Sequence, residues 1–354
     1  MSTTLPSPAG RIVDVGVAAG RVAAMDPAGR FVALEDRGRL TVHDSHRGLT
    51  AVMSCPYRVP GEALAVGPDG TGLAVLRADL TIEVHGPDGQ ARRSALPVAT
   101  GRPIRPSLRF TADGACLALV WNTGQEAGGR LLLLDAATLE PMDNAALETR
   151  VTAQPAVVDE GVEIAIGPGA STTIALAACS GDDTALLAVA ETADGVLRWH
   201  GLDTDPAALA EGVPGERVMA IALSDTADLV VLDSDGFVST VPWRTPGMSA
   251  RIVAHSGEPL PDDDTWACNG PIFTRGRLLA AVVEHEYPAG GRYEWEATGL
   301  AVLDLRTGRW RGLLELPPPQ RGERTVVEGG LICRSAGGRT HIARWVSPAD
   351  TASG

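Results

Sequence analysis

LAVGPDGTGLAVLRADLTIEVHGPDGQARRSALPV, Leu64 to Val98, decides the fold. Leu64-Ala65-Val66 is a short apolar strand, Gly67-Pro68-Asp69-Gly70 is a turn, and Leu73-Ala74-Val75-Leu76 is a second strand that stops before Asp79. Proline presets the backbone for the second position of such a turn, and glycine accepts the positive φ that side chains disfavour. Thr81 to His85 then alternates, with β-branched residues suited to a pleated surface, and Gly86-Pro87-Asp88-Gly89 leads into a fourth strand, Arg92 to Val98. Four strands in about 35 residues leave no room for a helical crossover, so the unit is an antiparallel meander. Its second strand is apolar on both faces, so both must be covered, and neighbouring copies of the same unit can do that.

The copies are visible. The first turn recurs at Pro27, Pro68, Ala112, Pro168, Asp225, Arg275 and Gly329, at spacings of 41, 44, 56, 57, 50 and 54 residues. The first two spacings match a propeller blade of roughly 40 to 45 residues, and the later ones require insertions. Each turn is followed by an apolar strand: Phe31 to Leu34, Leu73 to Leu76, Leu117 to Val120, Thr173 to Ala178, Leu229 to Leu232, Leu278 to Val283 and Leu331 to Cys333. The last unit is one strand short, since only a polar tail follows His341 to Val346, while Arg11 to Val17 is a strand without a unit. Pairing the two closes a ring and removes an open edge. The expected fold is all-β: a β-propeller of about seven four-stranded blades, closed by the N-terminal strand. Residues 11–347 are expected to form a single domain, with residues 1–10 and 348–354 as flexible tails.

These turns carry a resemblance. A proline-glycine turn between the inner strands, followed by the Asp-Gly type turns Asp36-Arg37-Gly38 and Asp235-Gly236, resembles the blade of WD40-type repeats. Leu134-Asp135, Leu303-Asp304 and His43-Asp44 stand where that family's Trp-Asp pair ends the third strand, though none of them is a Trp-Asp pair. Segments such as LLLLDAATLEP and LAVLDLRTGRW also resemble repeats of bacterial lactonase-like and quinoprotein-like propellers. The resemblance implies a fold and no particular activity.

Composition narrows the function. The chain of 354 residues has no lysine; its 30 basic residues are all arginine, against 44 acids, for a net charge of -14. Schiff-base and P-loop lysine chemistry are thereby excluded. An acidic surface repels phosphate backbones and anionic lipid, so neither nucleic acid nor membrane is an expected partner. Arginine in place of lysine, with abundant alanine and glycine, fits GC-rich bacterial coding. Cys55, Cys116, Cys179, Cys268 and Cys333 are scattered and odd in number, which reads as small buried hydrophobes in a reducing cytoplasm. MSTTLPSPAG lacks the basic and apolar regions of a secretion signal, and a cytoplasmic protein is expected.

In a four-stranded blade the turns between strands one and two and between three and four leave on one face, and the other connections on the opposite one. The first kind is short: Pro27-Ala28-Gly29, Ala112-Asp113-Gly114, Thr245-Pro246-Gly247 and Arg306-Thr307-Gly308. The second kind reads as long loops: Trp121 to Gly129, Ala153 to Gly161, Asp203 to Glu216, His255 to Asp264 and Glu284 to Gly299. Within them DPAALAEG, from Asp205 to Gly212, reads as a short helix. Long connections on a rigid scaffold are where binding concentrates. The candidate binding residues are Asp262, Asp263, Asp264, Trp266, Tyr293, Glu294, Trp295 and Glu296, acids and aromatics suited to a cationic protein or peptide; Trp121 and Tyr287 belong to the same set of face aromatics.

The densest polar cluster is Glu284-His285-Glu286-Tyr287. On a continued strand Glu284 and Glu286 share one face and His285 takes the other. Two carboxylates so placed could serve acid–base chemistry or give oxygen ligands to calcium or another divalent cation, but no zinc-ligand spacing accompanies them, and no cofactor is expected. Pro261-Asp262-Asp263-Asp264 lacks the spacing and terminal glutamate of an EF-hand. His43, His46, His85, His200, His255 and His341 form no motif, and no nucleophile elbow, zincin, Walker or dinucleotide fingerprint occurs. Three functions stay open: a non-enzymatic scaffold binding a protein or peptide through its acidic face; a lactonase-, lyase- or hydrolase-type enzyme using Glu284, His285 and Glu286 with a cation; and a structural subunit of a larger assembly.

Overall fold

The computed structural model describes residues 9–57, 61–96, 104–122, 129–142, 162–167, 172–180, 183–193, 196–200, 218–224, 228–244, 251–261, 266–268, 270–289, 292–316 and 323–348. Among them the strands form seven antiparallel sheets, six of four or five strands and one of three, and no α-helix occurs. Strand β1 (Arg11–Ala19) comes first. Blade one is β2 (Arg21–Met25), β3 (Phe31–Asp36), β4 (Arg39–Asp44) and β5 (Thr50–Pro56); blade two is β6 (Ala63–Val66), β7 (Leu73–Leu76), β8 (Thr81–His85) and β9 (Ala91–Ala95). Blade three has β10 (Ile104–Phe110), β11 (Cys116–Asn122) and β12 (Gly129–Asp135); blade four has β13 (Val162–Ile166), β14 (Thr172–Ser180), β15 (Asp183–Ala193) and β16 (Val196–His200). Blade five is β17 (Val218–Leu223), β18 (Leu229–Asp233), β19 (Phe237–Val241) and β20 (Arg251–His255). In blade six β21 (Trp266–Ala267) and β22 (Ile272–Arg275) both pair with β23 (Leu278–Ala289), followed by β24 (Arg292–Asp304) and β25 (Arg309–Glu315). Blade seven is β26 (Arg324–Glu328), β27 (Leu331–Ala336) and β28 (Arg339–Val346), completed by β1.

The expected second strands are β3, β7, β11, β14, β18, β23 and β27, one per blade. From β2 through β6, β10, β13 and β17 to β22 successive inner strands pack on one another, β26 meets β24 of blade six, and β2 returns to β27 and β28. The closing strand pairs from Arg11↔Val346 to Ala19↔Arg339, with one bulge between Asp14 and Gly16. Trp345, fully buried, donates its indole N–H to the Ala9 carbonyl at 2.9 Å, pinning the entry of β1 onto blade seven.

The core lies between sheets. All four residues of β7 are buried: Leu73 and Val75 join Phe31, Leu40 and Val42 of blade one, while Ala74 and Leu76 join Leu108, Leu117 and Leu119 of blade three. This is why that strand is apolar on both faces. Each fully buried leucine contributes roughly 1.5–3 kcal/mol, and the same arrangement repeats between blades four and five, five and six, six and seven, and seven and one.

The aspartates that end the third strands act alike. Asp44 accepts the His46 N–H at 2.8 Å, Asp135 the Ala137 N–H at 2.9 Å and Asp304 the Arg306 N–H at 3.1 Å, so each carboxylate fixes the turn into its outer strand. Asp44 and Asp304 are buried, and the arginines and N–H groups around them hold both below the usual carboxylate range against the burial that pushes them up.

Two expectations are corrected. Glu284 to Gly299 is no loop: β23 and β24 remain paired beyond the bulge at Val283/Glu284, through Glu284↔Ala297 to Ala289↔Arg292. Each arm continues as a paired strand as far as Ala289 and Arg292. Trp121 belongs to the core between blades two and three, 2% exposed, because β11 continues through it. The proposed helix from Asp205, the turns at Pro168 and Asp225, and the loops at 153–161 and 203–216 lie outside the described residues.

Candidate functional site

The extended β23–β24 hairpin and β21 gather the sequence-derived site. Trp266 pairs with His285 and His285 pairs with Glu296, so these three residues form one cross-strand row on one face. The Trp266 and His285 rings stack obliquely, centroids 4.8 Å apart at 50°. Glu296 Oε1 accepts the Thr325 hydroxyl of blade seven at 3.5 Å, tying the row to the next blade.

On the other face Glu284 lies between Ala267 and Ala297, and Glu286 pairs with Trp295. Alternation along β23 thus separates Glu284 and Glu286 from His285. Burial pushes the Glu284 carboxyl above its ordinary range. The neighbouring Cys268 thiol is pushed up to about 12, first by burial and then by the Glu284 charge, which makes it an inert hydrophobe. Trp295 stays 41% exposed, one of three exposed large apolar side chains among the described residues, the others being Val17 and Ile252 on outer strands.

The structure therefore brings together Trp266, Glu284, His285, Glu286, Trp295 and Glu296. Tyr293 and Glu294 pair through their backbones with Pro288 and Tyr287 on the same hairpin. Asp262, Asp263 and Asp264 lie outside the described residues. Among the described residues no three His, Cys, Asp or Glu side chains are gathered as metal ligands would be.

Other polar groupings carry no local signal in the sequence. Glu83 is buried on β8 and takes Arg77 at 2.7 Å and Arg93 at 3.0 Å, with His85 Nε2 at 3.5 Å. Arg109 on β10 meets Glu328 on β26 at 2.9 Å, 219 residues away in the chain. His46 faces the charges of Arg344, Arg275 and Arg30. Each joins residues that only the folded ring brings near, apart from the β8 set, where strand alternation places Glu83 and His85 on one face.

No family model matches the chain. Among curated proteins, a stretch of 139 residues is 32% identical to human WD repeat-containing protein 97, covering 35% of this chain and 8% of that much longer protein. The WD-type resemblance of the turns is thus met by a propeller of seven sheets and by similarity to a WD-repeat protein. Among the described residues, no helix is long and apolar enough to cross a membrane.

Proposed function

We propose that this protein is a non-enzymatic propeller scaffold that presents the acidic hairpin of blade six to a protein or peptide with a cationic segment. The observation that carries the reading is the β23–β24 hairpin, which prolongs the sheet past a bulge and keeps Trp295 exposed opposite Glu286. An exposed indole beside carboxylates suits a guanidinium or ammonium group, through its ring face and through charge. The likeness to a WD-repeat protein supports a scaffold. The buried free thiols Cys55, Cys268 and Cys333 favour a reducing, cytoplasmic setting. Nucleic acid and anionic membrane stay disfavoured by the net charge of -14.

The test compares wild-type protein with a Glu286→Gln/Glu294→Gln/Glu296→Gln variant and with Trp295→Ala, using immobilised arginine-rich and glutamate-rich peptides over a salt series. The reading expects arginine-selective binding that weakens as the Debye length shortens from about 10 Å at 0.1 M to 3 Å at 1 M, slower association for the triple variant and faster dissociation for Trp295→Ala. Equal, salt-insensitive binding by all three proteins rejects it. A lactonase-, lyase- or hydrolase-type reading draws on Glu284 and Glu286, one carboxyl raised by burial on the same strand face as a second, as an acid–base pair or the start of a divalent-cation site. Turnover lost in Glu284→Gln, or a stoichiometric bound cation, would favour it instead.

A further inference from the structure

The opposite face carries a separate feature. The short turns of blades six, seven and one meet there, and they meet tightly: a Cβ on Gly29 would collide with the Gly329 carbonyl. Arg275, at the end of β22, reaches over this junction to the carbonyls of Gly329 at 3.2 Å, Trp345 at 3.4 Å and Ala28 at 3.5 Å. Arg344 precedes Trp345 on β28. Arg30 lies two residues beyond Ala28; its carbonyl accepts the Ser45 N–H at 2.9 Å and its guanidinium holds Asp44 at 3.0 Å. The short 3-10 turn Ser45–Arg47, capped by Asp44 and closed by Gly48 at φ +62°, lifts His46 and Arg47 onto the same surface.

We propose that this junction is a binding site for a dianionic phosphate group, gripped by Arg344, Arg275, Arg30 and Arg47 around His46. Arg30 at 3.0 Å and Arg47 at 3.8 Å share the buried carboxylate Asp44, Asp26 accepts the Arg30 N–H behind the turn, and Arg275 spans the junction carbonyls, so with Arg344 guanidiniums outnumber carboxylates here on a chain that is otherwise acidic. Guanidiniums grip phosphate oxygens with paired N–H donors, and Arg47 and Arg30 are exposed enough to turn toward a ligand, at 73% and 42%. His46 lies in the field of the same residues: burial, then Arg344 and Arg275, hold its pKa down, Asp44 opposes them, and Arg30 adds to the depression. An incoming dianion reverses that field, so His46 would gain a proton and a further donor. The site is remote from the blade-six hairpin and stands or falls without it.

The experiment follows the His46 imidazole resonance, assigned with His46→Gln, as inorganic phosphate is titrated into the full-length protein at constant ionic strength. The expected result is a saturable shift with a raised His46 titration midpoint, competition by sulfate but not chloride, and at least tenfold weaker binding in Arg344→Gln and in the exposed Arg47→Gln, both with unchanged melting temperature. A phosphoserine peptide that binds tenfold tighter than inorganic phosphate assigns the group to a partner chain, and equal affinity assigns it to the free ion. No saturable shift up to about 30 mM phosphate, wild-type affinity in both arginine variants, or equal binding of the glutamate-substituted peptide overturns the proposal.

Discussion

Arg109 Nη2 lies 2.9 Å from Glu328 Oε1, although one belongs to blade three and the other to blade seven. Two blades separate them one way round the ring and three the other, so this ion pair ties the inner strands together across the axis. Both side chains are about three-quarters buried, and burial lifts the Glu328 carboxyl above its ordinary range while Arg109 pulls it back. Arg109→Ala strands a buried carboxylate and should cost about 1–3 kcal/mol in urea unfolding. A double-mutant cycle with Glu328→Gln should return a coupling above roughly 0.5 kcal/mol, and additive effects would show that the pair contributes nothing.

Asp26 sets a pH dependence. Its Oδ1 accepts the N–H groups of Arg30, at 2.7 Å, and Phe31, while its fully buried Oδ2 has no hydrogen-bond partner among the described residues. Burial first, and Glu328 in addition, raise its pKa from 3.8 to about 6 against those N–H groups. A raised folded pKa means that the folded state holds the proton more tightly, so this stability is complete below the unfolded value and is lost as pH rises through about 6. Lowering the pH from about 7.5 to 5 should therefore stabilise the protein by about 1 kcal/mol at this group. Below about pH 4 the depressed carboxyls Asp44, Glu83 and Asp304 reverse the trend. Thermal melts of wild type and Asp26→Asn across this range should differ in slope between pH 5 and 7.5; parallel curves would reject the assignment.

Closure by β1 makes a strong asymmetry between the ends. Deleting residues 1–18 removes the strand that pairs with β28 and the Ala9 carbonyl that holds Trp345, leaving β28 as an open edge. Aggregation or failure to fold is expected, whereas ending the chain after Ser347 should change the melting temperature little. A soluble deletion variant that melts cooperatively at the wild-type temperature would refute closure as a stabilising feature.

Gly70 and Gly114 both hold positive φ, +75° and +71°. A side chain at either position is strained, but their surroundings differ: a Cβ at Gly70 would press into the Phe31 ring at 2.5 Å, while at Gly114 it would meet Pro68 at 3.3 Å. Gly114→Val should cost about 1–3 kcal/mol from backbone strain, and Gly70→Val more than that because Phe31 is buried and cannot yield. Equal denaturant midpoints for the two variants would mean that the contact with Phe31 is unimportant.

What the sequence made legible is local. LAVL at 73–76 announces a strand covered on both sides, and RIVDVGV at 11–17 announces a strand in search of a sheet; the ring follows from these two facts. The alternation Glu284-His285-Glu286 gave the faces correctly, yet the stretch to Gly299 read as a loop because Pro288-Ala289-Gly290-Gly291 signals a turn without saying how far pairing extends on either side. Trp121 misled because its polar successors mask the end of an apolar strand. Arg109 with Glu328, and His46 with Arg344 and Arg275, are distant in the chain and obey no spacing, so only the closed ring brings them into each other's fields.

The pairing of Asp14 with His341, 327 residues apart, fixes an order of events at the ribosome. At roughly 5–20 residues per second, the strand synthesised first must wait about 15–65 s for the strand it will pair with. Until then Val13, Val15 and Val17 have no sheet to join, and six blades can assemble without them. Of these two strands the one made first is the one placed last, so a nascent chain stays open to chaperone capture, or to pairing with another chain's unfinished seventh blade, until β28 has emerged.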